Sequence, residues 1–549
     1  MLTRLLESWL DSASERSYQA PFCQMLAAKG HTILHTTRHG ALEFGKDVIT
    51  RDAKGKICAY QLKGNPGTRM TLVQFRAIEG QLLDLMAQPV NLPGPRAPRH
   101  NAYVVTNGDV GEEIRTAVRE LNRAFHARKT IGKSLEIIAR GELLAWAKEL
   151  GSSLWPSELE NVNQLLDMLV ADGREIFDIE KFHQLLTPVL GLSTQGEKAL
   201  ASAGMKRRIT SAAILTGVSL RNFAIAENHF AHITAWVMFC AYAIAACERY
   251  SFNYARNAHA SVQIAMAAIF NALKDLCEEL RTRRNLIEGE VMADSFCYHG
   301  RLTLCVALMS VYWFWCEEVG WPNDQHRLFV HKFIPREPRN LNLWGEGALP
   351  QFLAYLWYLR ATESGARPDM LLASLLRQVV QISTQKDSIG LAAPYYSFGD
   401  VLRHEVRNPL NLREDPFQGD SFRCTSYFAL ALMHLFVRTN LKQHCKDIWP
   451  GLSRLLFRHF ESDSVWSYCL WRTESGREIT VEPELTKDWN ELRNEARDVS
   501  GKGIPSPLKE NKFLLLLFVL LFPYRATPHA VRFLGRQFNG SWHIPDPLP

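Results

Sequence analysis

Residues 43–63 read Glu-Phe-Gly-Lys-Asp-Val-Ile-Thr-Arg-Asp-Ala-Lys-Gly-Lys-Ile-Cys-Ala-Tyr-Gln-Leu-Lys. Two runs rich in β-branched and aromatic side chains, Asp47 to Arg51 and Ile57 to Leu62, flank the polar stretch Asp52 to Lys56, which suits a turn. Asp47 opens the first strand, and Gln61 and Lys63 stand two apart on the second. Side chains alternate along a strand, so Gln61 and Lys63 share one face of the sheet. If the strands pair as a hairpin, Asp47 meets Gln61.

The surrounding pattern is mixed. Residues 2–12 and 14–28 read as helices, the second closed by Gly30, with Pro21 marking a kink or a late start. A strand over 31–37 precedes the two strands above. A helix over 71–87 follows, then the Pro-rich loop 91–100, a strand over 102–106, a helix to Phe125, a strand over 134–139 and a helix to Leu150. The order αβββαβαβα predicts an α/β layer built on a sheet. Beyond Trp155 the periodicity turns helical, from about 158 to 460, with Trp, Phe, Leu and Ala on the buried faces and no fixed repeat. Residues 465–483 read as a β-hairpin turning near Ser475-Gly476, 498–511 as a loop, and the run from 513 as a final apolar helix. Three regions are therefore expected: 1–150, a helical bundle or solenoid over 151–460, and 461–549 packed on it.

Charge singles out the first region. Residues 1–150 hold 21 Lys and Arg against 15 Asp and Glu, the whole formal excess of +6, and the remainder is balanced. A local positive field suits a polyanionic partner, with an uneven scatter of surface charge as the alternative. Eleven cysteines form no CxxC pair and no zinc spacing, which fits a reducing, cytoplasmic setting. The apolar runs 233–247 and 513–523 fall short of the roughly 20 residues needed to cross a bilayer, so they are expected as buried helices with no membrane partner. There is no Walker A sequence, no GxGxxG after a strand and no HExxH. The spacing of His31, His35 and His39 reads as ordinary strand and loop histidines rather than a metal array. Lys206 to Arg208 and Arg281 to Arg284 read as solvated helix ends, with an extended nucleic-acid track as the alternative.

Hydrolysis of a phosphodiester calls for a divalent cation to polarise the phosphoryl oxygen and acidify water. Mg²⁺ takes hard oxygen ligands and keeps several waters, so a carboxylate or two and a carbonyl suffice. Asp47 and Gln61 can supply such ligands, and Lys63 can orient the water and steady developing phosphate charge. The Asp47…Gln61-x-Lys63 pattern resembles the PD-(D/E)xK nuclease superfamily, which includes type II restriction enzymes and archaeal Holliday-junction resolvases. More narrowly it is similar to the Mrr-like branch, whose motif reads D…QxK. The resemblance implies a restriction-endonuclease-like fold over 1–150 and places Asp47, Gln61 and Lys63 in the catalytic roles, with Mg²⁺ or Mn²⁺ on Asp47 and Gln61. It also implies an acidic residue from the first helices. Glu15 is a candidate because Glu15, Tyr18 and Phe22 share a helical face; Glu43 is the second, from the EFGKDV lead-in. Arg69, Arg76, Arg96 and Arg99 flank the site as candidate phosphate contacts.

By the same resemblance the substrate is DNA, the setting is defence against phage or foreign DNA, and the helical region senses a phage-derived or operon-encoded protein trigger, regulates, or assembles a homo-oligomer. Gln61 departs from the more acidic DxE pattern, so the metal is held with one fewer negative charge. Two other readings stay open: an inactive nuclease fold that binds nucleic acid or protein, and a helical scaffold for a protein partner with the nuclease as a dispensable output.

Overall fold

The computed structural model describes residues 2–36, 45–90, 99–125, 134–149, 159–193, 202–283, 295–335, 341–362, 367–386, 388–407, 417, 421–472, 479–482 and 487–538. The protein is mostly helical, with a small mixed sheet near the N-terminus. It forms two compact units, Met1–Ala272 and Leu273–Pro549. The change of periodicity near 150 marks the end of the strands in the first unit, whose helices continue to residue 272.

The first unit opens with α1 (Leu2–Leu10) and α2 (Glu15–Ala28). Ser14 starts α2, its hydroxyl accepting the Ser17 N–H and so satisfying one orphan donor of the first turn. Pro21 lies inside α2, neither breaking it nor delaying its start. Its ring packs against Gly217 of α8 (Ser202–Ser219), where a β-carbon would stand 2.6 Å from Pro21 Cγ. The close approach of the two helices is thus built on a proline face and a glycine gap.

Strands β1 (Thr32–Thr36), β2 (Val48–Arg51) and β3 (Ile57–Lys63) form an antiparallel meander. Its second turn is set locally: Asp52 Oδ1 accepts the N–H groups of Lys54 and Lys56 at 2.9 and 2.7 Å, and Gly55 adopts φ +80°. After β4 (Arg69–Met70) and α3 (Leu72–Ala87) the chain returns as β5 (His100–Thr106), parallel to β3 with Lys63 beside Thr106. Then β6 (Asp109–Val110) pairs with β4, α4 (Glu112–Phe125) follows, and β7 (Glu136–Ile138) lies parallel to β5 before α5 (Arg140–Glu149). The sheet order is β1-β2-β3-β5-β7.

Both faces of the sheet are covered, which explains why β3 is apolar almost throughout rather than alternating. Tyr60, Leu62 and Val105 pack with Leu6, Phe22 and Leu143, on the side of α1, α2 and α5. Ala59, Ala102 and Val104 pack with Phe75, Leu82 and Val118, on the side of α3 and α4. Phe22 is fully buried, edge-on to Tyr60 and stacked on Trp146; burying a side chain of that size stabilises by about 1.5–3 kcal/mol.

The rest of the first unit is helical: α6 (Leu159–Val170), α7 (Ile179–Val189), α8, α9 (Arg221–Ile225), α10 (His229–Arg249), α11 (Tyr254–Asn257) and α12 (His259–Thr282), which runs past the division. The 233–247 run belongs to the 21-residue α10, so the expectation that it is too short to cross a bilayer does not hold. Three helices, α10, α12 and Phe296–Val319, are long and apolar enough by length and composition, and 89% of the α10 window is buried within the protein.

The second unit holds helices such as Ser295–Val319, Leu349–Thr362 and Ala429–Arg438 around a three-stranded sheet, β10-β9-β8. The expected hairpin is displaced. Its first strand is β9 (Leu456–Phe460), read from sequence as the end of the helical region, and β10 (Ile479–Glu482) pairs with it antiparallel, while β8 (Thr425–Ser426) pairs parallel. Ser467–Cys469 is a short 3₁₀ turn, and the proposed turn at Ser475-Gly476 lies outside the described residues. The apolar run forms the buried helix Lys512–Leu521, but it is not the last: Pro528–Phe538 follows. Within the 498–511 loop, Ser506–Glu510 is helical.

Candidate functional site

The meander brings Asp47 and Gln61 together across neighbouring strands. Asp47 Oδ2 accepts Gln61 Nε2–H at 2.6 Å and the Leu62 N–H at 2.7 Å, while the Asp47 N–H donates to the Tyr60 carbonyl at 2.8 Å. Gln61 is 4% exposed, and its Nε2 also lies 3.5 Å from the Leu62 carbonyl. Its Oε1 is buried without a hydrogen-bond partner. The amide nitrogen therefore occupies the place where the Asp47 carboxylate and the Leu62 carbonyl converge, and the oxygen is turned away.

That orientation bears on the metal expected from sequence. Turning the Gln61 amide over would bring Oε1 beside Asp47 Oδ2 and the Leu62 carbonyl, three oxygens that repel one another unless a cation stands between them. The same turn would aim Nε2 toward Gly45. A β-carbon built there stands 3.2 Å from Gln61 Oε1 and 2.3 Å from the Gln81 carbonyl, so a carbonyl waits on that side. The donor set of one carboxylate, one amide oxygen and one main-chain carbonyl fits a hard cation such as Mg²⁺ that keeps several waters. Among the described residues no three His, Cys, Asp or Glu side chains gather as a metal group.

Lys63, next along the same face, places Nζ 3.8 Å from Glu15 Oε2 at the start of α2. Glu15 is thus brought to the cluster, as its helical face suggested. Burial raises its carboxyl pKa above the ordinary value, and the Lys63 ammonium opposes that rise. Tyr18, one turn along α2, is buried with its hydroxyl 3.1 Å from both the Lys63 carbonyl and the Lys63 nitrogen and 3.3 Å from the Val105 carbonyl. It clamps the end of β3 to β5 and to the helix that carries Glu15.

Asn107 completes the frame from the strand-to-helix junction after β5. Its amide donates to the Leu10 and Ala13 carbonyls at 2.8 Å each and accepts the Asn65 N–H at 2.7 Å. One buried side chain thus fixes the α1–α2 turn, the loop after Lys63 and the end of β5.

Two residues beside Asp47 were not singled out from sequence. Gly45 adopts φ +70°, open to glycine, where a side chain would also strike the Gln81 backbone. Lys46 is 3% exposed, and burial pulls its pKa down to about 8 against the opposing attraction of Asp84 in α3. A lysine in a loop reads as solvated, so only the packing of α3 over it reveals its burial.

The arginines separate. Arg69 in β4 lines an open cleft described below, and Arg76 is exposed on α3. Arg99 precedes His100, which pairs with Ile57 at the opposite end of β3 from Lys63. At about 3.3 Å per residue the strand separates them by roughly 20 Å, so the structure does not bring Arg99 to the site. Glu43 and Arg96 lie outside the described residues. His31 hydrogen-bonds Thr50 and His35 sits in β1, while His39 is outside the described residues. In the helical segments Arg281 and Arg283 pair with Glu278 and Glu279 on their own helix, and Arg208 donates to the Pro188 and Val189 carbonyls at the end of α7.

No family model matches the chain, and no curated protein or solved structure matches it.

Proposed function

We propose that residues 1–150 form a restriction-endonuclease-like domain that hydrolyses DNA phosphodiester bonds with Mg²⁺ or Mn²⁺, the remainder of the chain controlling it. The observation that carries this reading is the Asp47–Gln61–Lys63–Glu15 cluster at the carboxyl end of β3, with the unsatisfied Gln61 oxygen one amide rotation away from Asp47 and the Leu62 carbonyl. The antiparallel meander followed by parallel β5 and β7, helices on both faces, supports the fold assignment.

Asp47, Gln61 and the Leu62 carbonyl would hold the cation, which when bound supplies positive charge to polarise the phosphoryl oxygen and lower the pKa of water. Lys63 orients the attacking water and steadies the negative charge that grows on the phosphoryl oxygens. Glu15 holds the Lys63 ammonium, and Tyr18 holds the Lys63 backbone. Defence against foreign DNA, activation by a protein trigger and assembly of two or more copies, so that both strands are cut, extend the reading by analogy with the family it resembles.

Incubation of the full-length protein with plasmid and single-stranded DNA, with Mg²⁺, Mn²⁺ or chelator, tests the proposal. Metal-dependent cutting that disappears in Asp47→Asn supports it. Cutting that survives chelator, or is equal in Asp47→Asn, overturns it.

A further inference from the structure

Beyond the Asp47 cluster, the loop after Lys63 leads into β4, and β4 and β6 border a cleft of about 670 Å³. Its walls are Arg69 and Asp109 from those strands, Arg115 from α4, and Ala139, Glu142 and Ala145 around the start of α5. The cleft therefore opens on the carboxyl edge of β3, β5 and β7, the edge at which Gln61 and Lys63 also stand.

Among the described residues neither Arg69 nor Arg115 makes a side-chain hydrogen bond or ion pair, although two carboxylates line the same cleft. Those carboxylates are engaged elsewhere. Glu142 Oε2 accepts the Ala139 N–H at 3.1 Å, and Asp109 lies in the field of Arg140, whose guanidinium is held by both oxygens of Asp11 at 2.6 and 3.0 Å. The Arg69 guanidinium is also seated: a β-carbon on Gly111 would stand 1.8 Å from its Nη2, so only glycine leaves room for it there. A guanidinium presents a planar fork of donors that matches the oxygens of a phosphate, and one already held in place loses less entropy on binding.

We propose that this cleft binds a phosphate group of the DNA strand, flanking the bond presented to the Asp47–Lys63 site. The proposal rests on the nuclease reading for its ligand and adds Arg115, which the sequence did not single out. It assigns Arg69 and Arg115 to strand placement rather than to chemistry.

The test uses the full-length protein and a short fluorescein-labelled DNA, duplex and single-stranded, followed by anisotropy in chelator across a salt series. In Arg69→Gln/Arg115→Gln the slope of log affinity against log salt is expected to fall by about 2, one per lost phosphate contact, with the melting temperature unchanged. Gly111→Ala keeps both charges but displaces Arg69, and is expected to lower the slope by about 1. An unchanged slope in the double variant, or no DNA binding by the wild type, overturns the proposal. So does calorimetric binding of adenosine monophosphate or inorganic phosphate that the double variant loses while its DNA slope stays at the wild-type value, because the phosphate then comes from a free ligand. Since no metal is present, the readout is independent of cleavage. A changed slope in a protein that never cuts supports the cleft and sinks the nuclease, and an unchanged slope in a protein that cuts does the reverse.

Discussion

Replacing Asp47 tests the idea that this side chain holds the sheet together as well as the site. One carboxylate oxygen accepts both the Gln61 amide and the Leu62 N–H, so Asp47→Ala leaves two donors without an acceptor. At about 1–3 kcal/mol for each such donor the loss is roughly 4 kcal/mol. Asp47→Asn can keep an oxygen in the same place and forfeits only the charge assistance, about 1 kcal/mol per bond or roughly 2 kcal/mol in all. Amide hydrogen exchange of peptides covering 57–63, read by mass spectrometry, reports the opening of β3 directly. With tenfold in rate for each 1.4 kcal/mol, exchange should speed up about a thousandfold in Asp47→Ala and about thirtyfold in Asp47→Asn. Equal and small changes in the two variants would refute the reasoning, because Asp47 would then not be holding β3. For activity work the distinction matters: loss of cutting in the alanine variant mixes chemistry with a loosened strand, whereas the asparagine variant isolates the charge.

Two further outcomes follow from single buried groups. Gln61→Glu adds a negative charge beside Asp47; the half-saturating Mg²⁺ in a cleavage titration should fall by about tenfold, equivalent to roughly 1.4 kcal/mol of added attraction, and a rise would argue against Gln61 as a ligand. In the second unit, Glu346 is 1% exposed and accepts the Ser426 hydroxyl and the Tyr427 N–H, yet burial pushes its carboxyl up to about 7. Between its unfolded value of about 4.5 and 7 the folded state binds the extra proton, so this group's stabilising contribution is present below 4.5 and is lost as pH rises to 7. Glu346→Gln should therefore match the wild type near the acid end of that window and melt higher than it at pH 8. The same gap at both ends of a pH series of melting curves would contradict the assignment.

The strands of the first unit were readable because their signals are local. Alternating β-branched residues, the Asp52–Gly55 turn and the Thr71 cap each act within a few residues, and the observed bounds follow them closely. The pairing of Asp47 with Gln61 follows from strand register, and the approach of Glu15 from a helical face. What escaped was set by packing between distant segments. Pro21 stays inside a helix because Gly217 makes room for it. Lys46 is buried because α3 covers it, and Arg99 sits at the far end of the sheet because β5 runs parallel to β3. Strand β9 was read as helix because its partners β8 and β10 lie elsewhere in the chain, and LFRHF has too few residues to declare a period.

The most direct test of the central claim is plasmid cleavage by wild type and Lys63→Ala side by side in Mg²⁺ or Mn²⁺, with DNA binding of both measured in chelator. Lys63 contributes one ammonium near Glu15 and its side chain bridges no backbone group, so its loss should leave folding and most binding intact. Metal-dependent cutting by the wild type, lost in Lys63→Ala while binding persists, is the predicted result. Equal cutting by the two proteins, or DNA binding with no cutting by the wild type under any metal, would contradict the account and favour a fold that binds without catalysis.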